Sequence, residues 1–213
     1  MKISRFLSRT WAVRVLVFAL AGSALYWCVG AARQKIREES LAAVGLTGVH
    51  HLGDKYNVPQ FYVDGYDGSN VGRKGGGGST VCCVLLPKKW RPGLSVEVRW
   101  SVGDWTNENR AEIEAGNYRS VDGAGMAFIA RVPVERYVVA EHLWVHFFAG
   151  GKVRVVSSPT GSWGEKHPIQ DSDPHAIDSA TAGRRVAVLF SPEELAEMAH
   201  TDLKRRTIFG DWR

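Results

Sequence analysis

Cysteine is nearly missing, with three residues in 213, two of them adjacent. That excludes a framework of stapling disulfides, and no Cys-x-x-Cys spacing offers a redox pair. Bonding between the neighbours Cys82 and Cys83 would close a strained small ring, so both are expected as thiols. One is expected to pack as a small hydrophobe and the other to sit on the opposite strand face. Beyond the N-terminal apolar run the sequence has no Gly-x-Ser-x-Gly, and Ser79 follows its glycines without a strand–turn–helix elbow, so nothing marks a nucleophilic serine. No enzyme and no catalytic residue is assigned.

Acidic residues are also missing from residues 1–37, which hold Lys2, Arg5, Arg9, Arg14, Arg33, Lys35 and Arg37. The whole chain has 27 Lys+Arg against 22 Asp+Glu and a pI near 9.2, but all of the basic excess flanks one apolar run. Residues 38–213 carry 20 basic and 22 acidic groups, so a nucleic-acid partner is not supported. At 45% hydrophobic and 23% charged, the chain is not compositionally disordered, and the part after the run is long enough for one cored domain.

The run itself, residues 15–32 (VLVFALAGSALYWCVGAA), has no charge over 18 residues. As a helix it spans roughly 27 Å, the thickness of a hydrocarbon core. Trp11, Tyr26 and Trp27 stand where interfacial aromatics belong, and Arg14 can snorkel outward. A transmembrane anchor is expected. Val29-Gly30-Ala31 leaves open a cleaved signal peptide, and lipidation at Cys28 is rejected because Trp27 stands where processing needs a small side chain. The basic residues favour a cytoplasmic tail at 1–14, a stalk at 33–45 and an exported domain at 46–213, placing the chain in a bacterial inner membrane with its C-terminal domain in the periplasm.

Residues 33–44 suggest a short helical stalk stopped by Gly45. Beyond it the helical period vanishes. Ser95 to Trp100 alternates strictly, with Val96, Val98 and Trp100 facing a core. Gln60 to Tyr66, Thr80 to Leu86, Met126 to Val132, Arg136 to Ala140, His142 to Phe148, Lys152 to Ser157 and Arg185 to Phe190 read as further strands. The apolar runs TVCCVLL and LWVHFF suit central strands covered on both faces. Gly150-Gly151 predicts a hairpin turn. Ser191, Pro192 and Glu194 spell a capping box opening a helix with a Leu195, Met198, Ala199, Leu203 stripe. The expected fold is mainly β, an antiparallel β-sandwich-like domain with a C-terminal helix, preceded by one N-terminal transmembrane helix.

Several candidate sites weigh less than their structural explanations. Gly72 to Ser79 is glycine-rich and basic but leads into a strand rather than a helix, so no nucleotide is expected. His142 and His146, four apart on a strand, lie roughly 13 Å from one another and cannot share an ion unaided. His167, Asp171, Asp173 and His175 put possible ligands in one proline-stiffened loop, yet match no known ligand spacing. No metal and no cofactor is assigned, and a metal-dependent enzyme using the His167–His175 loop stays an alternative. The connections Ser101 to Val121 and Ser158 to Gly183 carry Trp105, Arg110, Tyr118, Arg119 and Trp163. Such residue types dominate protein interfaces, so these five are the candidate partner-binding residues; pinning of the loops to the domain is an equal alternative.

The stretch Phe61-x-Val63-Asp64-Gly65-x-x-Gly68-x-Asn70-Val71, then Gly75 to Val84 with its paired cysteines, then Leu86-Pro87-x-x-Trp90-Arg91-Pro92-Gly93-Leu94-x-Val96-x-Val98-x-Trp100, resembles the proteobacterial family called domain of unknown function 3304. The likeness covers roughly residues 45–101. Relatives look like lipoproteins or anchored envelope proteins, often encoded beside type VI secretion genes and lipase effectors. By association, the resemblance implies an immunity-type protein that binds and neutralises such a toxin. The alternative is an envelope interaction or assembly protein with no toxin partner.

Overall fold

A computed structural model describes residues 41–75, 80–106, 109–118, 126–170 and 172–209, with the side chains of 202–209 excepted, together with Ser23, Tyr26, Trp27, Gly30 and Ser40. The chain divides into two compact units, Met1–Ala42 and Ala43–Arg213. In the first, Ser23, Tyr26, Trp27 and Gly30 are helical and exposed. The rest of the expected anchor lies outside the described residues, and among the described residues no helix is long and apolar enough to cross a membrane.

The second unit is mainly β, with a C-terminal helix. Its strands are β1 (Leu41–His50), β2 (Tyr56–Asn57), β3 (Phe61–Val63), β4 (Tyr66–Asp67), β5 (Val81–Pro87), β6 (Ser95–Asp104), β7 (Met126–Pro133), β8 (Leu143–Phe148), β9 (Lys152–Ser157), β10 (Thr181–Ala182) and β11 (Arg184–Val186). Helix α1 is Arg110–Glu114 and helix α2 is Pro192–Phe209. One sheet runs β10-β9-β8-β1-β5 and the other β11-β7-β6-β3-β4, with β2 paired to β6. We call them sheet A and sheet B.

The alternation that predicts β6 is realised. Val96, Val98 and Trp100 are buried, while Glu97 and Arg99 lie on the other face. Trp100, Phe61 and Phe147 meet between the sheets, with ring centroids 5.3 Å apart for Phe61 and Phe147 and 5.8 Å for Trp100 and Phe147. Each such fully buried aromatic contributes about 1.5–3 kcal/mol over its exposed state. The β8–β9 hairpin forms with Phe148 opposite Lys152, and Gly150 and Gly151 adopt the positive φ its turn needs. At α2, the Ser191 amide donates to Glu194 Oε2 at 2.8 Å and the Glu194 amide donates to Ser191 Oγ at 3.2 Å, the reciprocal bonds of a capping box.

Several expectations are corrected. Leu41 to Val44 belong to β1, not to a helical stalk, and β1 runs parallel to β8, with Leu46 opposite Leu143 and His50 opposite Phe147. Gly45 is therefore no helix stop. A Cβ there would sit 2.6 Å from His142 Nδ1, and one at Gly48 would sit 2.6 Å from Val71; both glycines let neighbours close on the strand. The run TVCCVLL forms an edge strand rather than a central one, with Val84 and Leu86 buried and Leu85 48% exposed. Cys82 and Cys83, expected as thiols, are joined as a disulfide across a cis peptide that draws their Cα atoms to 3.1 Å. Gln60 to Tyr66 is broken by a turn at Asp64-Gly65. Arg136 to Ala140 makes no ladder: Glu135 and Ala140 each give one amide, to Val155 O and Lys88 O. Of the last expected strand only Arg185 and Val186 pair, within β11, and Leu195 and Met198 of the α2 stripe are exposed.

Candidate functional site

Every β8 side chain is buried. Leu143, Val145 and Phe147 alternate with Trp144, His146 and Phe148, so both faces of sheet A are covered. One is covered by sheet B. The other is covered by a cap of successive turns, described over residues 158–170 and 172–180. Its Ile169 and Ala176 pack with Val49, Trp144, Phe148 and Val156 as a second small core. Gln170 Nε2 donates to His167 O at 2.6 Å and to Gly164 O at 3.1 Å, the latter also accepting the His167 amide, so the side chain cross-links the turn. Arg154 reaches from β9 into the cap, donating to Ala176 O at 2.8 Å and pairing with Glu135 at 2.7 Å.

Beneath the cap three histidines form a chain. His51 Nε2 lies 2.9 Å from His146 Nδ1, His146 Nε2 lies 2.9 Å from His167 Nε2, and His167 Nδ1 lies 2.8 Å from Thr160 O. The carbonyl can only accept, so His167 Nδ1–H donates to it. With neutral rings, His146 Nε2–H then donates to His167 and His51 Nε2–H donates to His146, one proton per contact. Burial holds the His146 pKa well below its ordinary value, and positive charge on His51, His167 or Arg154 pushes it the same way. His142 is separate: its Nε2 lies 2.7 Å from Thr47 Oγ1, and burial lowers its pKa also. That separation agrees with the strand spacing, whereas the chain through His51 and His167 was not visible in sequence. Its members lie 95 and 21 residues from His146 and share no motif; only the odd placing of His146 in an apolar run hinted at it.

The chain is linear and does not converge on one point, and among the described residues no group of three His, Cys, Asp or Glu side chains could hold a metal ion. The HPIQDSDPH loop is split. His167 turns inward, His175 pairs with Asp178 at 3.0 Å on the surface, Asp173 accepts the His175 amide at 2.9 Å, and Asp171 lies outside the described residues.

The five candidate binding residues occupy two separate settings. Trp163 projects from the cap, 78% exposed, its ring edge-on to buried Trp144 at 6.3 Å. Trp105 follows β6 and is half-buried: its Nε1 donates to Asn57 Oδ1 at 3.1 Å, Tyr118 stacks on it at 5.6 Å, and the Arg73 guanidinium stands 4.7 Å from its ring. Tyr118 is 54% exposed, and Arg110 is exposed and paired with Glu114 at 2.7 Å. Arg119 lies outside the described residues. Arg73 also borders a cavity of about 290 Å³ with His50, Asp54 and Lys74. His50 Nε2 donates to Gly72 O at 2.6 Å, fixing the start of the glycine-rich segment to β1.

Sheet B is covered differently. Helix α2 is fastened by Arg99, which donates to Glu194 Oε1 at 2.7 Å and Oε2 at 3.0 Å, to Leu189 O at 2.8 Å and to Glu97 at 2.7 Å. The Arg99 bond pulls the Glu194 pKa down to about 2. A cavity of about 850 Å³ lies here, bordered by Tyr62, Phe190 and Met198.

A sandwich-like β domain carrying a loop cap and a fastened helix is the class this architecture defines. The family model described as protein of unknown function (DUF3304) matches residues 53–155, and that segment of the chain belongs to this family. The match runs from just after β1 through most of β9, leaving out the cap, α2, His51, His167 and Trp163. No curated protein and no solved structure matches the chain.

Proposed function

We propose that this is an envelope protein, anchored in the bacterial inner membrane by its N-terminal segment, whose periplasmic β domain binds a protein partner through the cap. The single observation that carries the reading is Trp163. A large aromatic left 78% exposed, on a loop held by its own buried core, is a preorganised interface anchor rather than a pin. Tyr118 and Arg110 supply a second exposed patch, and Trp105 positions it. The helical, exposed Tyr26 and Trp27 are compatible with an interfacial end of the anchor.

The partner best suited to this arrangement is a periplasmic lipase toxin delivered by type VI secretion, with the protein acting as its immunity factor. Tethering confines the inhibitor to the layer where such an enzyme attacks phospholipid and raises its effective concentration. The test is co-expression with a lipase toxin encoded beside this gene. Wild type is expected to protect cells and to co-purify with the toxin, and Trp163→Ala is expected to weaken the complex at least about tenfold, as loss of a hot spot does. Absence of protection and of a complex rejects the immunity reading; a complex with a non-toxic envelope protein would install the assembly reading instead.

A further inference from the structure

The loop from β7 to β8 and the turn after β5 form one surface that the partner-binding reading does not use. Tyr137 is buried and donates its hydroxyl to Pro87 O at 2.7 Å. Trp90 Nε1 donates to Val134 O at 2.8 Å, and the Ala140 amide donates to Lys88 O at 3.1 Å. These bonds lock the two segments side by side. Between Tyr137 and Ala140, whose bonds make this junction, Val138 and Val139 are 88% and 57% exposed. Lys88, Lys89, Arg91 and Arg136, on these same two segments, are exposed; Arg136 stands 6.0 Å from the Trp90 ring and Arg91 lies near the Tyr137 phenol. Of the nearby acids, Glu135 is occupied by Arg154 and Glu141 is half-buried.

Exposed aliphatic side chains on a loop hydrogen-bonded to a second segment, the two together carrying four exposed lysines and arginines, match an anionic bilayer in both layers of its chemistry. The aliphatics enter the acyl boundary while the cations meet lipid phosphates. We propose that this end of the sandwich docks on an anionic lipid surface, with Val138 and Val139 inserted and Lys88, Lys89, Arg91 and Arg136 at the headgroups. Docking would hold the domain against the bilayer in a fixed orientation. The proposal is independent of Trp163 and of the identity of any protein partner.

Hydrogen exchange of the full chain, in vesicles of phosphatidylcholine or of an equimolar mixture with phosphatidylglycerol, tests it. Amides of residues 88–91, 93 and 134–140 are expected to slow in the phosphatidylglycerol vesicles only. Each neutralisation among Lys88→Gln, Lys89→Gln and Arg91→Gln should weaken that protection on the order of fivefold. Val138→Ser with Val139→Ser, both at exposed positions that leave folding intact, should remove it as well. Protection that is absent, equal in the two lipids or indifferent to these variants overturns the proposal. Protection that needs an added envelope protein and no anionic lipid overturns it too, and assigns the surface to a protein partner.

Discussion

The outer faces of the two sheets are covered by opposite means. On sheet A, Ile169 and Ala176 of the cap bury Trp144 and Phe148, and His146 is enclosed as a neutral ring. On sheet B, α2 is held by Arg99 and its carboxylates and leaves a cavity of about 850 Å³ open beside it. A cover made by desolvation is rigid and sensitive to any charge placed under it. A cover made by ion pairs between a nearly buried Arg99 and part-exposed carboxylates is screened by salt more than a desolvated core is. The difference teaches where a firm binding surface can be presented, and it favours the cap.

The largest way to break the comparison is Trp144→Ala, which empties the floor of the cap. It should destabilise the domain by about 3–5 kcal/mol in denaturant unfolding, while the exchange rates of α2 amides change no more than global stability dictates. Next comes pH. The native His146 pKa is depressed below the ordinary 6.5, so the unfolded chain binds more protons on acidification. The stability tied to the neutral ring is complete above about pH 6.5 and is lost as pH falls below it. His142 and His50, both lowered by burial, act in the same direction. Glu194, held at about 2 against an ordinary 4.5, gives a lower window: its contribution is complete above about pH 4.5 and is lost as pH falls toward 2. Thermal unfolding followed across pH should show the upper window flattened by His146→Gln and the lower one flattened by Glu194→Gln.

Arg99→Ala should produce a smaller and local effect, with faster exchange along α2 and unchanged exchange in residues 158–183. High salt should mimic it in the wild type and leave the cap alone. The smallest stability effect belongs to Trp163→Ala. A side chain that is 78% exposed should change unfolding by less than about 0.5 kcal/mol, so any loss of binding would be separable from loss of fold.

What the sequence disclosed follows the same division. Features set by neighbours in the chain were legible: the alternation of Ser95 to Trp100, the Gly150-Gly151 turn and the Ser191 to Glu194 capping box all form from local geometry. Features set by distant packing were not. Leu41 to Val44 reads as part of a helical stalk because Ile36, Leu41 and Val44 stand among charges before Gly45, whereas the close approaches that Gly45 and Gly48 permit are to His142, Val71 and Phe61, farther along the chain. The apolar run at Val81 reads as a central strand, yet sheet order leaves it at an edge. Trp163 and Trp105 are alike by residue type, and only the structure separates an exposed tryptophan from a half-buried one. The histidine chain needed strands β1 and β8 and the cap to be brought together before it existed.

The most direct test of the account is an affinity measurement between the intact chain and a neighbouring lipase toxin, comparing wild type with Trp163→Ala at matched thermal stability. Binding by the wild type that falls at least about tenfold in the variant is the predicted result. Equal affinity of the two proteins, or no binding by either, contradicts the claim that the cap is the recognition surface.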